Sequence, residues 1–430
     1  MICIRAIHFA ATLVAAGVMV FIVFVAAPAL RAAADDKALR AVLWPRLAFI
    51  GWFSLVLAVG SGAAWFILTA SAMSGTPPGE LSAGVLQTVL TQTHFGLAAI
   101  VRLVAAGILA LTFALMLSAP DRAWIGAVAV LAAAIFTGGL AWSSHALGGQ
   151  GAERIIHPTA DVLHLIAAAA WVGALAPLVL LLNAAGKSSA LDVARTATLR
   201  FSTLGVISVG TLLVTGIVNT WYLAGSFDAL TGTLYGQLLL AKIAVFLVMV
   251  AIAAVNRQWL TPRLVQNASP AAAQGALRQL HRNATVEALA GAAVICIVAV
   301  LGTKPPGSHV HQHPAYGALP ADAAFVHIHT EEAMADVTIE PGRPGQAHAT
   351  IRLWNGDFEP LEAHALKLSL TPPGGSKSAP LVAEEDADGA WQIDRVALSQ
   401  PGNWTVTVDA DVGANSHVTL AAPIVIETGP

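Results

Sequence analysis

The sequence predicts an all-α polytopic membrane bundle of about eight transmembrane helices, followed by a small extracytoplasmic all-β sandwich of immunoglobulin type. Three observations carry that expectation. Of 430 residues, 56% are hydrophobic and only 11% charged, with a mean hydropathy of +0.71, whereas a soluble domain carries about 25% charged residues. The charge is split: residues 1–302 hold 16 Lys and Arg against 9 Asp and Glu, and residues 303–430 hold 6 against 16. Long apolar runs give way after Gly302 to short runs of alternating polarity. A chain so poor in charge cannot wet its whole surface, which excludes a cytosolic enzyme, a nucleic-acid binder and a disordered scaffold. The only cysteines, Cys3 and Cys296, argue against a disulfide framework and a Cys-rich metal site.

Eight runs are long enough to cross a bilayer, which takes about 20 residues each. They cover 8–30, 47–70, 95–118, 124–147, 157–183, 199–223, 234–255 and 284–302. Trp44, Trp124, Trp142, Trp221 and Trp259 fall near their ends, as interfacial aromatics do. The connections after spans one, three, five and seven hold twelve basic residues, while those after spans two, four and six hold Arg154 alone. Basic loops stay in the cytoplasm, so both termini are expected in the periplasm. The first run exceeds a typical signal-peptide core, and keeping it preserves an even number of spans; it is read as retained.

Residues 1–302 thus form the membrane domain, 303–334 a linker rich in His and Pro, and 335–430 the β-domain. Alternating segments such as HATIRLW, HALKLSL and NWTVTVDA are separated by PG, PPGG, DADG and PGN turns. They read as about seven antiparallel strands, the pattern of a sandwich.

Sorted by this orientation, the histidines gather at the outer face. His8, His94 and His145 lie at outer span ends. His157, Asp161 and His164, spaced i, i+4, i+7, share one helical face in the outer half of span five. Ionisable groups at membrane depth mark a site or pathway, and imidazole suits Cu, Zn, Fe and Ni. Asp161 either ligates a metal or orients an imidazole from behind it. Arg102 and Lys242 lie inside spans, and either is expected to pair with Asp161 and tune the local charge. Met19, Met73 and, best placed, Cys296 offer soft sulfur.

In the tail, His309, His311 and His313 form H-V-H-Q-H, and His327 and His329 form H-I-H just before the first expected strand. Alternate residues of an extended chain point the same way, so each H-x-H presents two imidazoles to one ion. No phosphate-binding glycine motif, no HExxH and no Ser/His/Asp arrangement is present, and the inner loops are too short for a catalytic domain. No enzymatic activity is expected.

The run DVLHLIAAAAWVGALAPLVL at 161–180 resembles the D-x-x-H-x-x-x-x-x-W-x-G signature of the CopD copper-resistance membrane proteins. Phe201-Ser202, Thr215-Gly216, Tyr235-Gly236, Lys242, Asn256-Arg257 and Pro262 continue the likeness. Ser144-His145-Ala146 stands where the family has Gly-His-Ala. The tail, through HIHTEEAMADVTIEPGRPG and PGNWTVTV, resembles the YtkA-like domain appended to some CopD proteins. The resemblance implies copper, as Cu(I) or Cu(II), captured at the outer face of a bacterial inner membrane and moved across it, with import favoured over export. It also implies a separate periplasmic CopC-like copper carrier as partner, since no CopC domain is fused here. Membrane lipid is the other expected partner, and nucleic acid is not one. Two other readings stay open: a b-type haem redox protein, and a membrane-anchored copper chaperone without transport.

Overall fold

A computed structural model describes residues 1–32, 37–74, 76–118, 122–143, 153–188, 190–224, 227–266, 269–304, 322–330, 333–355, 360–386, 388–413 and 416–428. The chain divides into two compact units, 1–311 and 312–430.

The first unit is helical. Helix α1 (Ile2–Phe21) runs through a π turn (Ile22–Ala26) into α2 (Ala27–Ala32). Then come α3 (Lys37–Ser74), α4 (Ala83–Gln92), α5 (His94–Ser118), α6 (Ala123–Gly138) and α7 (Glu153–Ala168). A second π turn (Ala169–Gly173) joins α7 to α8 (Ala174–Ser188), followed by α9 (Leu191–Ala224), α10 (Phe227–Gly232) and α11 (Leu234–Val255). A third π turn (Asn256–Leu260) leads into α12 (Thr261–Val265) and α13 (Pro270–Leu301).

Among the described residues seven helical stretches are long and apolar enough to cross a membrane. The fourth expected span is shorter: α6 has 16 residues, about 24 Å at 1.5 Å per residue, and a 3₁₀ turn (Ala141–Ser143) follows it. Outward faces carry large apolar side chains, with Phe49 69% and Leu103 61% exposed. These make a lipid-facing surface, which a helix tolerates because its backbone polar groups are satisfied internally. Trp124, Trp142, Trp221 and Trp259 are likewise exposed, in keeping with interfacial positions.

Helix α1 is the buried centre of this unit and packs against α3, α6, α8, α13 and the second π turn. It makes a close crossing at Gly17 against Gly173: a methyl group on Gly17 would overlap the Gly173 backbone, and one on Gly173 would overlap the Leu13 carbonyl. Small residues at such crossings let helix backbones approach closely in lipid. Gly17→Leu is therefore expected to cost about 3 kcal/mol, visible as a lowered thermal transition and a smaller yield of monodisperse protein.

Among the described residues the second unit holds nine strands in two antiparallel sheets. They are β1 (Ala324–His329), β2 (Met334–Glu340), β3 (Gly345–Trp354), β4 (Ala365–Thr371), β5 (Leu381–Val382), β6 (Glu384–Glu385), β7 (Trp391–Leu398), β8 (Gly402–Gly413) and β9 (Ser416–Ile426). One sheet has the order β1-β2-β3-β7-β6, the other β5-β4-β8-β9. Alternating residues such as Val337, Ile339, Ile351, Leu366, Leu368, Val406, Val408 and Leu420 fill the core, as period-two burial requires. The sequence reading differs in two respects. The two-residue strands β5 and β6 are too short to show alternation. The His-Ile-His segment lies within β1 rather than before the first strand, because it pairs with β2 through His327 opposite Asp336 and His329 opposite Met334.

Candidate functional site

The i, i+4, i+7 face of α7 meets a matching face of α9. His164 Nδ1 lies 2.9 Å from Thr215 Oγ1. Asn219 Nδ2 donates to Asp161 Oδ1 at 3.2 Å. The His157 ring stacks on Tyr222, with centroids 5.2 Å apart and planes 23° from parallel. Thr215, Asn219 and Tyr222 repeat the spacing of His164, Asp161 and His157 in reverse, which is how two antiparallel helices present a ladder of pairs. The sequence reading found the α7 half alone. The signal for the other half was present: polar residues at 215, 219 and 222 inside an apolar span.

The hydrogen bonds fix a tautomer. Thr215 Oγ1 donates its hydrogen to the Thr211 carbonyl at 2.7 Å, so it accepts from His164, whose Nδ1 carries the proton. The Nε2 lone pair of His164 is then the ring's ligating position. Asn219 Oδ1 is buried without a hydrogen-bond partner, an oxygen donor beside the carboxylate. Lys242 on α11 lies within electrostatic reach of both Asp161 and His164, which gives this level of the bundle a cation, a carboxylate and two imidazoles. An imidazole, a carboxylate and an amide oxygen form a donor set that accepts a divalent first-row metal, copper included.

The other expected ligands do not converge here. His8 is buried, and its Nδ1 donates to the Ala58 carbonyl at 2.9 Å, with Ser61 Oγ at 3.2 Å. It stands edge-on to Trp65, in a separate cluster with Arg102. Arg102 donates through Nε to the Phe136 carbonyl at 3.0 Å and through a terminal nitrogen to Thr12 Oγ1 at 3.2 Å. It also lies over the Phe136 ring. The cation near Asp161 is therefore Lys242. His94 is exposed at the start of α5, and Cys296 is exposed on α13. His145, His309, His311 and His313 lie outside the described residues, and for His329 only the backbone is described. Among the described residues no three His, Cys, Asp or Glu side chains form a ready-made metal cluster. Of the expected outer set, His157, Asp161 and His164 share the ladder on α7 and α9, while His8 belongs to a second polar cluster on α1, α3 and α5.

In the β-unit, His327 Nδ1 lies 2.6 Å from Asp336 Oδ1, and Trp354 Nε1 donates to Asp336 Oδ2 at 2.9 Å. Asp336 is fully buried. A carboxylate bonded to one ring nitrogen sets tautomer and orientation, an arrangement common behind metal-bound histidines. Asp336→Ala removes the buried carboxylate that the indole and the imidazole both bond. It is expected to cost about 3 kcal/mol, seen as a lowered thermal transition of the full-length protein.

Residues 1–156 match the family described as Copper resistance protein D-like, N-terminal domain, and residues 195–301 match the family described as Copper resistance protein D. The chain belongs to the copper resistance protein D family. One relative of that family, Copper resistance protein D of Pseudomonas syringae pv. tomato, is 29% identical over 265 residues, 61% of this chain and 84% of the relative. Copper transport protein CutJ of Bacillus subtilis is 24% identical over 273 residues, 62% of this chain and 47% of that protein. Inner membrane protein YebZ of Escherichia coli is 35% identical over 170 residues, 39% of this chain and 55% of that protein. The family match at 195–301 takes in Thr215, Asn219, Tyr222 and Lys242, while the α7 partners fall between the two matched segments.

Proposed function

We propose that the protein takes copper at the periplasmic face of a bacterial inner membrane and moves it inward, with the α7–α9 ladder as the entry site. The observation that carries this reading is the His164–Thr215 bond, which directs Nε2 to act as the ligand. His164 supplies nitrogen, Asp161 and Asn219 supply oxygen, and His157 stands one turn further out along the same face. Lys242 balances the carboxylate when no metal ion is present. Copper is cargo here rather than a resident cofactor, and no bond of the protein is made or broken, so no enzymatic activity is part of the proposal. The basic connections favour periplasmic termini, which place the β-unit and the linker histidines where copper arrives. A periplasmic CopC-like carrier would deliver it.

The deciding experiment is copper flux in oriented vesicles, comparing wild type with His164→Ala. Equal flux would remove the ladder as the entry site. Absence of a Soret band after expression with haem supplied would dispose of the haem reading. The linker is tested by replacing His309, His311 and His313 with alanine. Deleting 309–329 would also remove β1, which pairs along its length with β2. A capture arm raises local concentration, so the triple substitution is expected to slow uptake at low copper and leave it unchanged at saturating copper.

A further inference from the structure

A third polar group lies at the other end of α11. Lys242 and Asn256 are 14 residues apart, about 21 Å at 1.5 Å per residue. There α8, α9, α11, the third π turn and α13 line an open-sided cavity of about 370 Å³. Glu287 of α13 lines it and is 2% exposed. Its Oε1 accepts from Asn256 Nδ2 at 2.7 Å; Asn256 Oδ1 accepts from Asn283 Nδ2 at 2.6 Å; Asn283 Oδ1 accepts from Gln279 Nε2 at 2.9 Å. This chain of amides runs from exposed Gln279 to the buried carboxyl group. Thr198 Oγ1, buried and without a partner, lines the same cavity.

Among the described residues no cation pairs with Glu287. Arg257 lines the cavity but donates to Ser202 Oγ at 2.8 Å. On the surrounding elements, Arg195 bonds Asp192 and the Leu264 carbonyl, and Arg200 reaches the Phe24 carbonyl. Lys187, Arg263, Arg278 and Arg282 are exposed, and His281 is half-buried on the turns of α13 that precede Glu287. On α1, Arg5 bonds the Gly302 carbonyl and His8 the Ala58 carbonyl. Two of the three π turns among the described residues meet at this cavity, through Trp171 and through Asn256 with Arg257, and π turns recur at functional sites.

A carboxyl group that faces only neutral amides and a cavity takes its balancing positive charge from whatever enters, and within helical bundles that role is served by proton relays. We propose that Glu287 is a proton-exchange site opening toward the inner face, and that its proton exchange accompanies copper movement. The coupling rests on the transport reading above; the proton site does not. In the step, the O–H bond of the Glu287 carboxyl breaks, its proton passes to water in the cavity, and a proton from the inner solution later restores the bond.

The test uses full-length protein reconstituted in lipid. Infrared difference spectra across a pH step are expected to show a carboxyl stretching band that shifts in heavy water. It should be absent in Glu287→Gln, whose side-chain carbonyl still accepts from Asn256, and retained in Glu287→Asp. A wild-type spectrum without a Glu287-dependent band overturns the proposal whatever copper does. In vesicles holding a pH-sensitive dye, copper entry is expected to drive a proton signal that Glu287→Gln abolishes while copper binding by equilibrium dialysis is unchanged. The band without copper flux in wild type would overturn the transport reading and leave the proton site standing. Loss of one bound copper equivalent in Glu287→Gln would overturn the proton assignment in favour of a metal site.

Discussion

Replacing His164 with alanine is expected to lower copper accumulation to the level of cells lacking the protein, while the purified variant keeps its thermal transition within about 1 kcal/mol of wild type. His164 is the one ring in the ladder whose ligating nitrogen is set by a hydrogen bond, since Thr215 gives its own hydrogen to the Thr211 carbonyl. A graded variant separates ligation from packing. Thr215→Val keeps the shape of the side chain but removes the acceptor that holds Nδ1–H. The loss of an orienting partner of this kind lowers metal affinity about 10- to 100-fold. Copper uptake in Thr215→Val should therefore be restored by raising external copper, whereas in His164→Ala it should not. If high copper rescues both variants equally, His164 is not a ligand.

Removing the carboxylate has a different signature. Asp161→Ala leaves Lys242 inside the bundle without the negative charge within its reach. A cation left inside the bundle without its counter-charge destabilises it, and the expected result is a lowered thermal transition and a reduced amount of protein in the membrane. Adding Lys242→Met to Asp161→Ala removes the orphaned cation and is expected to restore stability without restoring copper flux. If the double variant stays as unstable as the single one, Lys242 is not the partner that matters.

The architecture was legible because burial patterns depend on local sequence. The spans follow from run length, and the β-unit from alternation between turn residues. On α7 the polar face was equally legible, since His157, Asp161 and His164 share a face by spacing alone. The rest depends on which faces meet. Nothing in the local pattern tells His8, four residues before Thr12, that its neighbours are Ala58 and Arg102 rather than His164. Glu287 was overlooked for a related reason: it sits one turn inside the last apolar run, and its importance comes from Asn256, 31 positions away. Short strands such as β5 and β6 and the π turns leave almost no local imprint.

The second π turn, Ala169–Gly173, has a consequence for how this protein tolerates change. A π turn accommodates one residue beyond the α-helical count, and one residue corresponds to about 100° of rotation. It acts as a phase adjuster, setting the face α7 shows to α9 independently of the face α8 shows to α13. Substitutions on either side alter single contacts. Deleting one residue from the turn would instead rotate the three ladder residues together, away from Thr215, Asn219 and Tyr222, without changing any of them. The span would stay apolar and long enough to cross the membrane, so such a deletion is expected to insert normally and still lose the site.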